Sequence, residues 1–367
     1  MRETSNCVDI VIPSFRLGER YLIPLIELPK PEGWTFNYFI IVDNPEVKPG
    51  PAISKLAADG VVNLFINSEN LGASGSRNKG IDAGKAPWIL FLDDDIVVEK
   101  DLLHTYVAAI RQHPDAIGFI GLTDFPAPIN HFTEALDAYG ITAAFRIANV
   151  TSEFMWGTTA NMMFNRAAMG DLRFSDVFSK NGGGEDMDLP ARICIQNNKR
   201  FLTLKEAKAV HPWWNDGRPH YDRSMRYGAG TGHLLPRFKS FTWYGFPNPI
   251  ESLILFILTA PLIIYYLGWT QWLILIAAVF VFDLILNYAK SVQKGFTSPV
   301  VAYYVTRLRW STEWGTLITG LRKQGVPAFM QRINADFSRP HHFRLNRWRI
   351  TKFVMFALLV GVLIWCR

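Results

Sequence analysis

Cysteine is scarce in this sequence. There are three in 367 residues, Cys7, Cys194 and Cys366, and no two stand at a spacing that would hold a metal or staple a small fold. An odd, sparse set excludes a disulfide scaffold and fits a reducing compartment. Charge is also limited, at 19% of residues, and it is unevenly placed. From Pro249 to Arg367 there are 13 Lys and Arg against 4 Asp and Glu, whereas the preceding 248 residues hold 25 against 28. A basic excess confined to the C-terminal third argues against a nucleic-acid partner and for a lipid surface. The opening MRETSNCVDIVIPSF has no apolar core of the kind a signal peptide needs, so the first domain is expected in the cytosol. No internal repeat, Walker loop or dinucleotide-binding fingerprint is present.

What is present begins with short apolar, β-rich runs. Val8–Pro13, Tyr38–Val42, a run near Val61–Asn67 and Trp88–Leu92 read as strands. Helical stretches at Gly18–Leu28, Ile53–Asp59 and Gly75–Gly84 separate them. This is an α/β pattern with a mostly parallel sheet, and such sheets bind ligands beyond the carboxyl ends of their strands. Three polar clusters fall at such ends: Ser14-Phe15-Arg16, Asp43-Asn44 and Asp93-Asp94-Asp95. From about 120 to 247 further strands are expected, with one near Phe201–Leu204 and a helix after Gly182-Gly183-Gly184.

Near Pro249 the composition changes. Glu251–Leu267 and Trp269–Tyr288 are almost uninterrupted apolar stretches, each close to the roughly 20 residues a helix needs to cross a bilayer. Asp283 lies inside the second, where it would face a partner helix or a polar cavity or sit near the interface. A last apolar run, Phe353–Cys366, extends through residues 351–367 to a third span or an interfacial helix. The domains expected are therefore 1–248, catalytic and cytosolic; 249–289, two transmembrane helices; 290–350, basic and cytoplasmic or interfacial; and 351–367. The 12 basic residues between Ala289 and Lys352 place that loop on the cytoplasmic side of the inner or plasma membrane, with Trp310, Trp314 and Trp348 against lipid.

Three adjacent carboxylates directly after a buried strand repel one another unless a cation sits among them. Oxygen ligands suit Mg²⁺ or Mn²⁺, and side-chain alternation turns Asp93 and Asp95 one way and Asp94 the other. Asn70-Leu71-Gly72 through Arg77-Asn78 is a small-residue loop before a helix, where backbone N–H groups and Arg77 could meet a phosphate. Glycines 182–184 lead into Glu185-Asp186, either a helix start or a general base for a sugar hydroxyl. His211 precedes Trp213 and Trp214, rings that could stack on sugars, and a neutral imidazole could complete a metal site with Asp93 and Asp95.

Taken in order and spacing, Ile12-Pro13-Ser14-Phe15, Val42-Asp43-Asn44, Asn70-Leu71-Gly72, Arg77-Asn78, Asp93-Asp94-Asp95, Glu185-Asp186 and His211 resemble the family 2 glycosyltransferases over roughly residues 8 to 245. The resemblance implies a GT-A fold and an inverting, metal-dependent transfer from a nucleotide-sugar, most commonly of UDP. It implies nucleotide contacts from Pro13, Ser14, Arg16, Asp43, Asn70, Gly72, Arg77, Asp93 and Asp94. Metal ligation would fall to Asp93, Asp95 and His211, and the base to Asp186 beside Glu185. Processive members carry a Gln-x-x-Arg-Trp motif before their membrane helices; Arg307–Trp310 and Arg344–Trp348 match it only superficially and come after the first helices. That points to adding one or a few sugars. The apolar helices suggest a hydroxyl acceptor on a lipid-linked glycan or glycolipid. A polyprenyl-phosphate acceptor is the rival, although an ionised phosphate needs no base. A non-catalytic, membrane-anchored nucleotide- or glycan-binding protein is the reading from another class.

Overall fold

The computed structural model describes residues 6–338, 342–344 and 346–366. Residues 1–5 of the N-terminal reading, Leu345 of the Arg344–Trp348 stretch and Arg367 of the last apolar run lie outside the described residues. Two compact units are present: residues 1–127 with 142–216, and residues 128–141 with 217–367.

The first unit is built on nine strands: β1 (Cys7–Ser14), β2 (Thr35–Val42), β3 (Val62–Ile66), β4 (Trp88–Leu92), β5 (Val97–Val98), β6 (Gly118–Asp124), β7 (Glu153–Phe154), β8 (Asn161–Asn165) and β9 (Phe201–Val210). They pair in the order β3-β2-β1-β4-β8-β6-β9-β5, with β7 also on β9. Pairings among β3, β2, β1 and β4 are parallel, while β8 enters antiparallel between β4 and β6. This is the mostly parallel, mixed α/β sheet that the apolar runs anticipate. Helices α1 (Glu19–Ile26), α2 (Pro51–Ala58), α3 (Gly72–Ala83) and α4 (Leu102–Gln112) follow individual strands. Every residue of WILFL in β4 is buried, as expected for a central strand covered on both faces.

The chain runs from β1 through β2 to β3 on one side and then returns to place β4 on the other side of β1. The carboxyl ends of β1, β2 and β4 therefore open into one crevice at a topological switch point. Pro13 falls just past the β1–β4 register, which ends at Val11 and Phe91, so its missing N–H costs no ladder bond there. Beneath the crevice, the fully buried Asp9 accepts from Arg166 Nη2 at 2.8 Å, the Ala86 N–H at 2.8 Å and Asn37 Nδ2 at 2.9 Å. That charge is fully used in joining β1, β2 and the segment after β8.

The second unit contains α5 (His131–Tyr139) and, after the short α6 (Arg166–Met169) and α7 (Glu185–Asn197) of the first unit, helices α8 (Asp222–Arg237) to α13. These are α9 (Pro249–Leu258), α10 (Ala260–Leu267), α11 (Trp269–Gln293), α12 (Pro299–Gln324) and α13 (Arg347–Trp365), with a two-stranded ribbon of β10 (Thr242–Tyr244) and β11 (Gln331–Ile333). Helices α11 and α13 are each long and apolar enough to cross a membrane. The first apolar stretch is broken instead of straight. Its halves α9 and α10 meet at 70°, where Thr259 caps one helix and Pro261, which has no N–H to donate, begins the next.

The basic stretch after α11 also differs from a lipid-lying segment. Its helix α12 packs against α8 through glycines: a Cβ at Gly228 would lie 2.0 Å from the Thr312 carbonyl oxygen, and one at Gly315 would lie 2.1 Å from that of Met225. Small residues let the two backbones approach, as in helix pairs that cannot rely on apolar burial. Trp310 turns inward and donates to Asp283 Oδ2 at 2.9 Å. Asp283 also accepts from Asn287 of its own helix and pairs with Lys352 of α13, so this carboxylate faces partner helices.

Candidate active site

The three strand ends supply the site. Ser14, the last residue of β1, donates from Oγ to Asp94 Oδ2 at 2.5 Å, and the same oxygen accepts the Leu17 N–H. Asp94 is thereby turned toward β1. Asp93 and Asp95 turn the other way and join His211, the residue after β9. Burial raises the Asp94 carboxyl to about 6, with the neighbouring acids adding to the effect against the Ser14 hydroxyl and the Arg16 cation. Arg16 is largely exposed and donates to Asp95 Oδ2 at 2.8 Å.

The donor atoms of Asp93, Asp95 and His211 lie within 4.8 Å of one another. Donors around a single small divalent cation sit roughly 3 Å apart, so modest side-chain movement closes this set on an ion. The chemistry of the set also fits. His211 Nδ1 lies 2.6 Å from the Pro212 carbonyl oxygen, which only accepts, so Nδ1 carries a proton and, in the neutral ring, Nε2 presents a lone pair. Nε2 faces Asp95 Oδ1 at 3.5 Å, another acceptor. Two acceptors opposed in this way are relieved by a cation between or beside them. Phe125, Phe145 and Trp214 surround the imidazole at centroid distances of 5.4, 5.9 and 5.7 Å. Trp213 stacks on Phe125 and donates to the Ala127 carbonyl. Both tryptophans are buried and frame the histidine, so they are not open platforms for a sugar ring.

Asp43 follows β2 and holds the next loop. Its Oδ1 accepts the Leu71 N–H at 2.7 Å and Asn67 Nδ2 at 2.9 Å, and its Oδ2 accepts the Gly72 N–H at 2.8 Å. Asn70 Oδ1 also accepts from Gly72. Gly72 is at φ +76, and a Cβ there would lie 2.5 Å from Lys180 Cα. No other residue fits both conditions. Lys180 donates from Nζ to the Asn70 carbonyl at 2.6 Å, which docks the loop before α7 onto the start of α3.

That docking brings α3 and α7 together around Arg77. Arg77 is buried and does not reach outward to a phosphate. Its Nη2 donates to Asp93 Oδ1 at 3.1 Å, while Nη1 lies 3.7 Å from Glu185 and 3.8 Å from Asp186. One guanidinium thus links the metal-side carboxylate to the acidic pair. Glycines 182, 183 and 184 all have positive φ, a run only glycine tolerates, and the turn lets Glu185 Oε2 accept the Gly183 N–H at 2.5 Å. Asp186 is partly open and accepts from Thr159 Oγ1 at 2.6 Å. Burial first, and then the charge of Glu185, raise its carboxyl to about 7, against the pull of Arg77 and the Thr159 hydroxyl.

Sequence reading did not find Thr159, Lys180 or Phe174, whose ring lies under Arg77 and whose backbone is held at both N–H and C=O by Asn78. No local pattern marks them, since each acts across a long loop.

Residues 9–172 match the model of the glycosyl transferase family 2. The matched span contains Asp43, Arg77 and the Asp triplet and stops short of Glu185, Asp186 and His211. This segment is a family 2 glycosyltransferase domain. With it, the mixed sheet is the expected GT-A fold. The chain is 32% identical over 99 residues to an uncharacterized glycosyltransferase of Methanocaldococcus jannaschii, covering 26% of this chain and 34% of that protein. The match therefore spans about a third of that relative's length. It is 22% identical over 263 residues to an amylovoran biosynthesis glycosyltransferase of Erwinia amylovora, covering 66% of this chain and 83% of the relative. A glucosyl-dolichyl phosphate glucuronosyltransferase of Haloferax volcanii is 40% identical over 58 residues, 16% of this chain and 18% of that one. Among solved structures, S. aureus TarS in complex with UDP-GlcNAc aligns at a TM-score of 0.45 and 14% identity, covering 63% of this chain and 66% of that one.

Proposed function

We propose that this glycosyltransferase carries out an inverting, divalent-cation-dependent transfer from a nucleotide-sugar, probed first as UDP-sugars, to an acceptor hydroxyl on a lipid-linked glycan or glycolipid. The observation that carries the reading is the bridge made by Arg77. It joins Asp93, in the three-donor cluster with Asp95 and His211, to Asp186, a carboxylate raised to about 7.

Asp93, Asp95 and His211 would hold Mn²⁺ or Mg²⁺, which when bound neutralises charge on the leaving diphosphate. Arg16, exposed beside Asp94 and Asp95, adds a cation on the same side. Asp43 sets the Asn70–Gly72 loop at the nucleoside end of the crevice. Asp186 takes the acceptor hydroxyl's proton; the oxygen forms its bond to the anomeric carbon as the bond to the diphosphate oxygen breaks, which inverts that centre. Thr159 holds the Asp186 carboxylate by one oxygen and leaves the other for the proton. Glu185 is bound to the Gly183 N–H and faces Arg77, so it shapes the charge around the base.

The apolar helices α11 and α13 favour a membrane acceptor, and the basic residues following α11 favour the cytoplasmic face. A carboxylate poised near neutrality favours a hydroxyl acceptor over a phosphate. The test is transfer of radiolabelled sugar to membrane lipid extract by wild type and Asp186→Asn. Loss of transfer with donor binding retained supports the assignment; undiminished transfer by Asp186→Asn refutes the base.

A further inference from the structure

The second unit holds a cavity of about 580 Å³ among α9, α11, α12 and α13 that the transferase chemistry does not use. This is the size range of small-molecule sites. Its walls change character along one direction. Helices α11 and α13 run antiparallel: Arg347 bonds Gln293, Lys290 lies over the Trp348 ring, Lys352 pairs with Asp283, and Phe282 meets Phe356. The lining cations Lys290, Arg349 and Lys352 therefore gather at one end, joined by Arg309 of α12. Leu255, Phe256, Val279, Phe356 and Val360 line the remainder, with Phe256 on Phe356 at 5.3 Å. From Lys352 to Val360 the helix rises roughly 12 Å, enough to accompany the upper part of an acyl or prenyl chain.

The cationic end has donors to spare. Four basic side chains face two acids, Asp283 and Glu313, and Asp283 is already bound by Lys352, Trp310 and Asn287. Arg309 Nε and Arg349 Nη1 are buried without a hydrogen-bond partner, as is Glu313 Oε2. Burial raises the Glu313 carboxyl to about 7, so near neutrality it carries its proton part of the time and can donate. Cationic side chains that outnumber the acids lining the same end call for an anion, and phosphate oxygens suit guanidinium groups best.

We infer that this cavity binds an anionic membrane lipid with a phosphomonoester headgroup, its phosphate on Arg309, Arg349, Lys290 and Lys352 and its chain along α9 and α13. The inference rests on reading α11 and α13 as bilayer helices and is independent of the transfer reaction.

Full-length protein is delipidated in detergent and titrated with phosphatidic acid, with phosphatidylcholine or with inorganic phosphate, and bound lipid is read by native mass spectrometry. Phosphatidic acid is expected to bind preferentially, and Arg349→Gln to weaken it roughly tenfold or more. Val360→Trp, which fills the apolar end and leaves every cation in place, is expected to reduce binding too. Asp186→Asn should bind lipid like wild type, which separates this site from the transferase reading. Equal retention of phosphatidylcholine, full competition by inorganic phosphate, or unchanged binding in both cavity variants would overturn the proposal.

Discussion

His211 Nε2 and Asp95 Oδ1 face each other at 3.5 Å while Nδ1 is fixed on the Pro212 carbonyl. The ring cannot turn its proton toward Asp95 without giving up that bond, so the pair is set to share a cation. His211→Ala is expected to raise the Mn²⁺ concentration giving half occupancy roughly tenfold or more, read as free Mn²⁺ by electron paramagnetic resonance. Unchanged Mn²⁺ affinity would remove His211 from the ligand set.

Asp186 carries its proton below about pH 7 and loses it above. As a base it works deprotonated, so kcat should fall on the acid side of about 7. Arg77 lowers that carboxyl's affinity for its proton, so Arg77→Gln should move the acid limb to higher pH. Asp186→Asn should lower kcat by roughly 10²–10⁴-fold while sparing donor affinity. A rate profile flat from pH 5.5 to 8, about the range around neutrality in which a buried carboxylate is tuned for base catalysis, would count against the assignment.

Gly72 combines positive φ with a backbone contact to Lys180. Gly72→Ala should cost about 1–3 kcal/mol in local stability and weaken nucleotide binding more than it lowers the melting temperature. Calorimetry and a thermal scan on the same preparation separate the two effects.

Gly315 lies under the Met225 carbonyl where α12 crosses α8. Gly315→Leu should force the helices apart, at about 1–3 kcal/mol or more, and lower the unfolding temperature in detergent. Gly361→Leu on α13, where nothing lies within 4 Å of an added Cβ, is the matched control and should have little effect.

Much of the candidate site was legible because a buried strand in a mostly parallel sheet imposes a simple rule on sequence. WILFL had to be buried, so the acids after it had to stand at a strand end, and alternation separates Asp94 from Asp93 and Asp95. What stayed hidden depends on contacts between distant segments. Thr159 reaches Asp186 across 27 residues, and the role of Arg77 emerges only once Lys180 docks on Gly72. The α8–α12 pair was hidden for another reason. Its closest approaches fall at Gly228, Gly232 and Gly315, and hydropathy does not mark a glycine as a packing position. The bend between α9 and α10 had a visible cause in Pro261, but hydropathy alone counts Glu251–Leu267 as one run.

The central claim is a cation-dependent nucleotide-sugar site built on the Asp triplet. It is tested most directly by hydrolysis of a panel of nucleotide-sugars in mild detergent, with Mn²⁺, with Mg²⁺ or with EDTA, for wild type beside Asp95→Ala. The account predicts slow hydrolysis of one donor, lost with EDTA and lost in Asp95→Ala. Hydrolysis that persists in EDTA, or that Asp95→Ala leaves intact, would contradict it.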